Sequence, residues 1–204
     1  MIIKRDYYLK KIIDKRENGR IKIITGIRRC GKSYLLFNLY QEYLLSQGIK
    51  EEQIIAIALD EIDNLEYRNP FRLNEYIKEK TKNRNQMYYI LIDEIQLSEA
   101  VINPYIDSKE KNVTFVDVLL GLMKRNNVDI YVTGSNSKML SSDVLTQFRD
   151  RGNEIHVNPL SFAEVYDLYE NKESAFEHYI VYGGMPYIYS LKSDEEKNQY
   201  LKDL

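Results

Sequence analysis

One cysteine, two histidines and no tryptophan: the 204-residue chain is poor in the residues that staple or metallate small folds. A lone cysteine excludes an internal disulfide, and one Cys with two His argues against a structural zinc site. Four prolines and nine glycines are spread thinly, so no low-complexity linker and no internal repeat divides the chain. The opening stretch Met1-Ile2-Ile3-Lys4-Arg5-Asp6 has no apolar run of signal-peptide length. No segment approaches the length of a membrane span. The location expected from this is the cytoplasm, with no membrane partner. Neither sign of charge dominates, because 29 Lys+Arg face 31 Asp+Glu. That argues against a strongly basic nucleic-acid surface, though not against a local patch.

What the chain does have is apolar material, 44% of its residues, enough for a sizeable core. Strand patterns alternate with helix patterns. A short helix over 6–17 leads into a first strand, 20–25. The later strands are expected at 53–59, 87–92, 129–133 and 154–157. Asn69-Pro70 reads as a helix cap followed by proline at the first position, opening a helix to about Lys82. Thr114 and Asp117 resemble a capping box for a helix burying Val116, Leu119, Leu120 and Met123. Ser161 with Glu164 and Ser193 with Glu196 repeat that signature near the end. The alternation implies βαβ units, a parallel sheet and right-handed crossovers. The loops that follow the strands then share one edge, where phosphate and water chemistry belongs.

At that edge stands Gly26-Ile27-Arg28-Arg29-Cys30-Gly31-Lys32-Ser33, a full match to the phosphate-loop pattern G-x-x-x-x-G-K-S/T. A β-branched strand precedes it and a helical pattern follows. The glycines let backbone N–H groups close around a phosphate, and the helix N-terminus adds partial positive charge. Lys32 would reach the β- and γ-phosphates, and Ser33 would hold Mg²⁺. The third strand runs into Asp93-Glu94. Asp93 would hold Mg²⁺ through water; Glu94 would orient and polarise the attacking water. The D-x-x-G and N-K-x-D signatures of GTPases do not occur. After the fourth strand, Thr133, Ser135 and Asn136 are candidates to touch the γ-phosphate or the lytic water, or to cap a turn.

Several of these segments together resemble one family. Arg5 with Tyr8-Leu9, GIRRCGKS at 26–33, LIDEIQ at 91–96, YVTGSNSKMLSSDV at 131–144, VNPLSFAEV at 157–165 and YGGMP at 182–186 are similar to prokaryotic AAA-superfamily ATPases, usually followed by a DUF4143 domain. The resemblance implies ATP as the nucleotide and an α/β fold. Its five-stranded parallel sheet has the order 5-1-4-3-2, with helices on both faces. Residues 1–160 would form the ATPase core, and 161–204 a C-terminal helical segment ahead of a further domain. It also implies an arginine before the PLSF segment. Arg151 takes that place, with Asp150 where glycine is usual, and would stabilise phosphoryl charge either in cis or from a neighbouring subunit of a homo-oligomer. Arg149 lies close by. No arginine follows Arg151, so the C-terminal sensor arginine of many AAA machines is missing from this segment. Gly184-Met185-Pro186 resembles the G-x-P element by which STAND-type switches contact nucleotide. Two alternatives to a turning-over ATPase thus stand: a switch read by its ATP/ADP state, and a subunit of a DNA-processing motor. The target, protein or DNA, is not written in the residues.

Three stretches remain. Residues 98–112 read as a polar surface insertion beside the active edge. Lys78, Lys80, Lys82 and Arg84 read as a solvated basic helix end. Cys30, inside the phosphate loop, has two readings: a thiol whose pKa is lowered by Lys32 and the helix N-terminus, or a residue filling a permissive position against the sheet.

Overall fold

The computed structural model describes residues 3–106, 112–134, 148 and 150–204. Five parallel strands build the sheet: β1 Ile21–Thr25, β2 Ile54–Ala58, β3 Tyr88–Asp93, β4 Val128–Thr133 and β5 Gly152–His156. Their spatial order is β2-β3-β4-β1-β5, the expected 5-1-4-3-2 read from the other side. Each strand boundary falls within two residues of its sequence expectation.

Period-two alternation sorts the strand residues to two apolar layers. On one face Ile21, Ile23, Ile90, Ile92, Ile130 and Val132 pack against Leu73, Ile77, Val116, Leu119 and Leu122. These come from helices α3 (Pro70–Lys80) and α4 (Phe115–Leu122). On the other face Ile24, Tyr89, Leu91, Tyr131 and Ile155 meet Tyr8 and Ile12 of helix α1 (Asp6–Ile13). They also meet Leu35, Leu36, Tyr40 and Leu44 of helix α2, which begins at Lys32 and runs to Ser46. The Leu35–Tyr40 stretch of α2 is a π turn. Leu36, Tyr40 and Leu44 recur every four residues, and the wider π turn holds that spacing on the side facing the sheet.

One polar pair interrupts this second layer. Lys22 of β1 and Asp129 of β4 are both buried and form an ion pair. The Tyr131 hydroxyl donates to Asp129 at 2.6 Å, and the Glu17 N–H donates to it at 2.9 Å. The Tyr40 and Tyr131 hydroxyls bond in turn. Burial lowers the Lys22 pKa, against the pull of Asp129.

Beyond β5 the chain turns helical. The segments are α5 Phe162–Tyr166, α6 Lys172–Tyr182, a 3₁₀ turn Pro186–Ser190 and α7 Asp194–Lys202. All three expected capping boxes are made. Asp117 accepts from the Thr114 N–H at 2.9 Å, Glu164 from Ser161 at 2.8 Å and Glu196 from Ser193 at 3.1 Å. Asn69 accepts from the Phe71 N–H at 2.9 Å, capping α3.

Several details correct the sequence reading. Helix α4 buries Val118 and Leu122 beside Val116 and Leu119, leaving Leu120 and Met123 only partly covered. Helix α6 falls in the expected helical segment 161–204, but nothing in the sequence marks its bounds. It buries only Ala175 and Tyr182, too few to write a periodic stripe. The polar stretch after β3 holds a two-residue antiparallel ladder, Val101–Ile102 with Asn112–Val113; residues 107–111 lie outside the described residues.

Candidate functional site

β1 lies between β4 and β5, and β3 lies beside β4. In register, Ile24 pairs with Thr133, and β3 ends at Asp93 next to the end of β4. The carboxyl ends of β1, β4 and β3 therefore converge, and the loop 26–33 leaves from the first of them. The sheet topology alone brings the phosphate loop and Asp93-Glu94 together across the crevice.

The loop's conformation explains its glycines. Gly26 has φ 149°, and a Cβ there would lie 2.2 Å from the Val157 carbonyl oxygen. Gly31, φ 98°, caps α2 in the left-handed region. Arg29 also adopts positive φ, 66°, an uncommon state for a non-glycine residue. Lys32 is buried, and its ammonium donates to the carbonyls of Gly26 and Ile27 at 3.1 and 3.0 Å. Ile27, Arg28 and Arg29 are exposed at the loop's outer side, and Ser33 follows Lys32 in the first turn of α2.

Asp93 is buried. Its Oδ1 accepts from the Thr133 hydroxyl, and the same hydroxyl oxygen accepts from the Glu94 N–H at 3.3 Å. Glu94 has φ 52°, in the left-handed region that few non-glycine residues adopt, so the backbone turns straight after Asp93. The Gln96 amide donates to Glu94 Oε2. Thr133 is thus a hinge-pin between the two acids. Ser135 and Asn136, the other candidates from this loop, lie outside the described residues, as do the rest of 135–147 and Arg149.

A residue whose sequence signal was only a family resemblance turns out to hold the loop from behind. Arg5 is 2% exposed. Its guanidinium donates to the Cys30 carbonyl at 2.9 Å, to the Asn158 carbonyl at 2.7 Å and to Glu164 Oε1 at 2.7 Å, and it lies over the Tyr8 ring. One buried cation thereby ties the N-terminal segment, the phosphate loop and α5 together. Arg5 also borders a cavity of about 330 Å³ with Ile3, Gly31, Tyr34, Leu160, Pro186 and Tyr187. Pro186 of the G-x-P element therefore stands beside Gly31 of the phosphate loop. Gly184 is fixed there because a Cβ would lie 1.9 Å from the Leu160 carbonyl oxygen. Pro186 is partly buried against these neighbours.

Two open alternatives narrow. Cys30 is fully buried, and burial raises its pKa, outweighing the opposing charges of Lys32 and Arg5. Its thiol donates to the Val157 carbonyl at 3.4 Å. Lys32 and the helix end do not yield a thiolate, and the space-filling reading stands. Arg151 lies at the other edge of the sheet: its carbonyl accepts from the N–H of Ile21, the first residue of β1. Five strand residues, roughly 16 Å at strand rise, separate that point from the loop. An arginine side chain does not bridge this, so the cis alternative for Arg151 lacks reach.

The donor set suits a hard cation, since Asp93 and Ser33 offer only oxygen. Among the described residues no cluster of His, Cys, Asp and Glu forms a transition-metal site. Among the described residues no helix is long and apolar enough to cross a membrane.

Comparisons with known proteins agree with this geometry. A family model described as an AAA domain (AAA_14) matches residues 18–166. An uncharacterised protein of Haemophilus influenzae is 32% identical over 192 residues, covering 91% of this chain and 44% of that protein. Another, from Methanocaldococcus jannaschii, is 30% identical and covers 99% and 42% respectively. The chain thus spans less than half the length of these relatives. Among solved structures, Caenorhabditis elegans PCH-2 aligns with TM-score 0.51 at 20% identity, over 86% of this chain and 44% of that one. The Aeropyrum pernix ORC1 protein in complex with DNA aligns with TM-score 0.52 at 14% identity, over 87% and 50%. These likenesses are of fold.

Proposed function

Since the chain belongs to the AAA domain family, we propose that it binds ATP with Mg²⁺ and hydrolyses it. The observation that carries this is the convergence of the 26–33 loop, buried Asp93 and the Thr133-anchored Glu94 at one sheet edge. The N–H groups of residues 27–33 receive the phosphates, and Lys32 turns its ammonium from loop carbonyls to phosphate oxygens. Ser33 and Asp93 would hold the cation, which would supply neutralisation of phosphate charge. Glu94 orients a water and takes its proton as the water oxygen bonds to the γ-phosphorus and the bond to ADP breaks. The base of the nucleotide fits the cavity between Ile3, Tyr34, Pro186 and Tyr187. Arg151, out of reach in its own subunit, serves the site of a neighbour, which makes the working form a homo-oligomer.

The Glu94→Gln variant tests this. It keeps ATP affinity in calorimetry, while steady-state phosphate release falls by about 10²- to 10⁴-fold, the usual range for a lost general base. Turnover near the wild-type rate overturns the hydrolysis assignment. A second reading, a nucleotide-gated switch with slow turnover, draws on one juxtaposition: Pro186 and Gly31 line the same cavity, so the C-terminal segment stands next to the phosphate loop. It gains if wild-type turnover is already as slow as that of Glu94→Gln. The DNA-processing alternative rests on a different edge of the molecule.

A further inference from the structure

The connections that precede β1, β4 and β3 sit side by side along the amino edge of the sheet, opposite the phosphate loop. They carry Arg20 before β1, Lys124 and Arg125 before β4, and Arg84 before β3. Among the described residues, none of these four cations forms an ion pair. Exposed Asp150, before β5, forms no ion pair among the described residues, but the acids nearest the other cations are engaged. Asp14 pairs with Lys10, Glu17 with Arg16 and the Tyr89 hydroxyl, and Asp129 with Lys22. A chain with a net charge of −2 therefore gathers uncompensated positive charge on one rim.

The rim is held in place. Arg125 Nη2 donates to the Thr81 carbonyl at 2.6 Å, while its buried Nε has no acceptor among the described residues. Arg125 loses its proton more readily than an ordinary arginine because of burial, with the charge of Arg84 adding to the effect. Arg20 and Arg125 flank one small cavity with Asn126. Glu17 and Asp129 also line it, but they are engaged by Arg16 and Lys22, which leaves the charges of Arg20 and Arg125 open to an anion.

The shape of the rim selects the anion. Its cations are strung over three adjacent strands, about 10 Å across at ordinary strand spacing, and do not converge on a point. Phosphates along a nucleic-acid strand recur at comparable intervals. Exposed Asn83, Asn85 and Asn126 add amide donors. None of the exposed aromatic side chains, among the described residues, lies in these loops, so stacking on splayed bases is not on offer. We propose that this edge binds the phosphate backbone of double-stranded nucleic acid, without sequence readout. The proposal does not rest on hydrolysis at the opposite edge.

The test is fluorescence anisotropy with a labelled random-sequence DNA duplex, titrated between about 50 and 200 mM salt. With four phosphate contacts, log K should fall against log salt with a slope of roughly −3 to −4. Arg20→Gln, Arg84→Gln and Lys124→Gln, all exposed sites, should each lower that slope by about 1. The triple variant should keep its melting temperature. Lys172→Gln, at a lysine already paired with Asp167, should change nothing. No salt-dependent binding by the wild type overturns the proposal, as does an unchanged slope in the triple variant. Tighter binding of the single strand, or displacement of the duplex by millimolar inorganic phosphate, overturns it equally. The last of these would mark a discrete anion pocket instead.

Discussion

At the scale of single residues, the phosphate loop separates groups that shape it from groups that act. Gly26 and Gly31 are there for backbone conformation and close approach, and Arg5 for support from behind. Lys32 is different: among the described residues its ammonium donates only to two loop carbonyls. Lys32→Ala should therefore keep the melting temperature within a few degrees and lose ATP affinity by about 10- to 100-fold, the value of a charge-assisted contact. Calorimetry with ATP checks it, and wild-type affinity would unseat the site. Cys30 makes the opposite case. Its thiol is buried and its pKa raised, so alkylation at neutral pH should be slower than that of a free thiol by about an order of magnitude or more. Mass spectrometry of a labelling time course reads this; rapid labelling in the folded state would contradict the burial. From sequence alone the charge of Lys32 was visible while the wall formed by Val157 was not. Of the two readings of Cys30, burial supports the one that fills a position against the sheet.

At the scale of elements, capping chemistry was the most legible feature of the chain. Asn69, Thr114, Ser161 and Ser193 start helices where local side-chain pattern says they should, since a cap is satisfied by residues two or three positions away. Strands were legible for a similar reason: buried on both faces, they read as short apolar β-branched runs. Helix α6 was not, because its apolar Phe176, Ile180 and Val181 are exposed while its charges are spread around it. The roles of Arg5 and Gln96 were hidden too, since each depends on partners brought close only by the fold. Helix α7 carries a pH consequence. Asp194 is held below the usual carboxylate range by the Tyr182 hydroxyl and then Lys197; Glu196 is held low by the N–H groups of Ser193 and Lys192. Groups with depressed folded pKa values add stability that is present above their unfolded pKa and lost as pH falls through the folded value. Hydrogen exchange, corrected for its intrinsic rate, should show α7 losing protection more than β3 does as pH falls below the ordinary carboxylate range. Asp194→Asn should remove part of that difference. Protection of α7 that is indifferent to pH would refute the assignment.

At the scale of the whole molecule, the sheet separates its chemistry to two edges. The phosphate loop and acids stand at one edge, while Arg151 and the unpaired cations stand at the other. If Arg151 serves a neighbouring site, hydrolysis per subunit should rise with protein concentration until assembly saturates. Arg151→Ala should bind ATP normally and turn over slower by about 10-fold or more. Mixing it with Glu94→Gln should recover part of the lost activity, because some interfaces then pair an intact Arg151 with an intact Glu94. Steady-state rates at several mixing ratios check this; a concentration-independent rate without rescue excludes the role in trans.

The Lys22–Asp129 pair has a bearing on how this chain avoids folding wrongly. β1 and β4 are separated by more than a hundred residues and meet only late in chain order, and apolar parallel strands are nearly interchangeable by pattern alone. A one-residue slip between them would send one charge to the opposite face of the sheet and leave both ions dry and alone, a penalty of several kcal/mol. A swapped neighbour would do the same. The pair therefore acts as a keyed joint: it contributes little to how tightly the sheet holds, and much to which sheet is built.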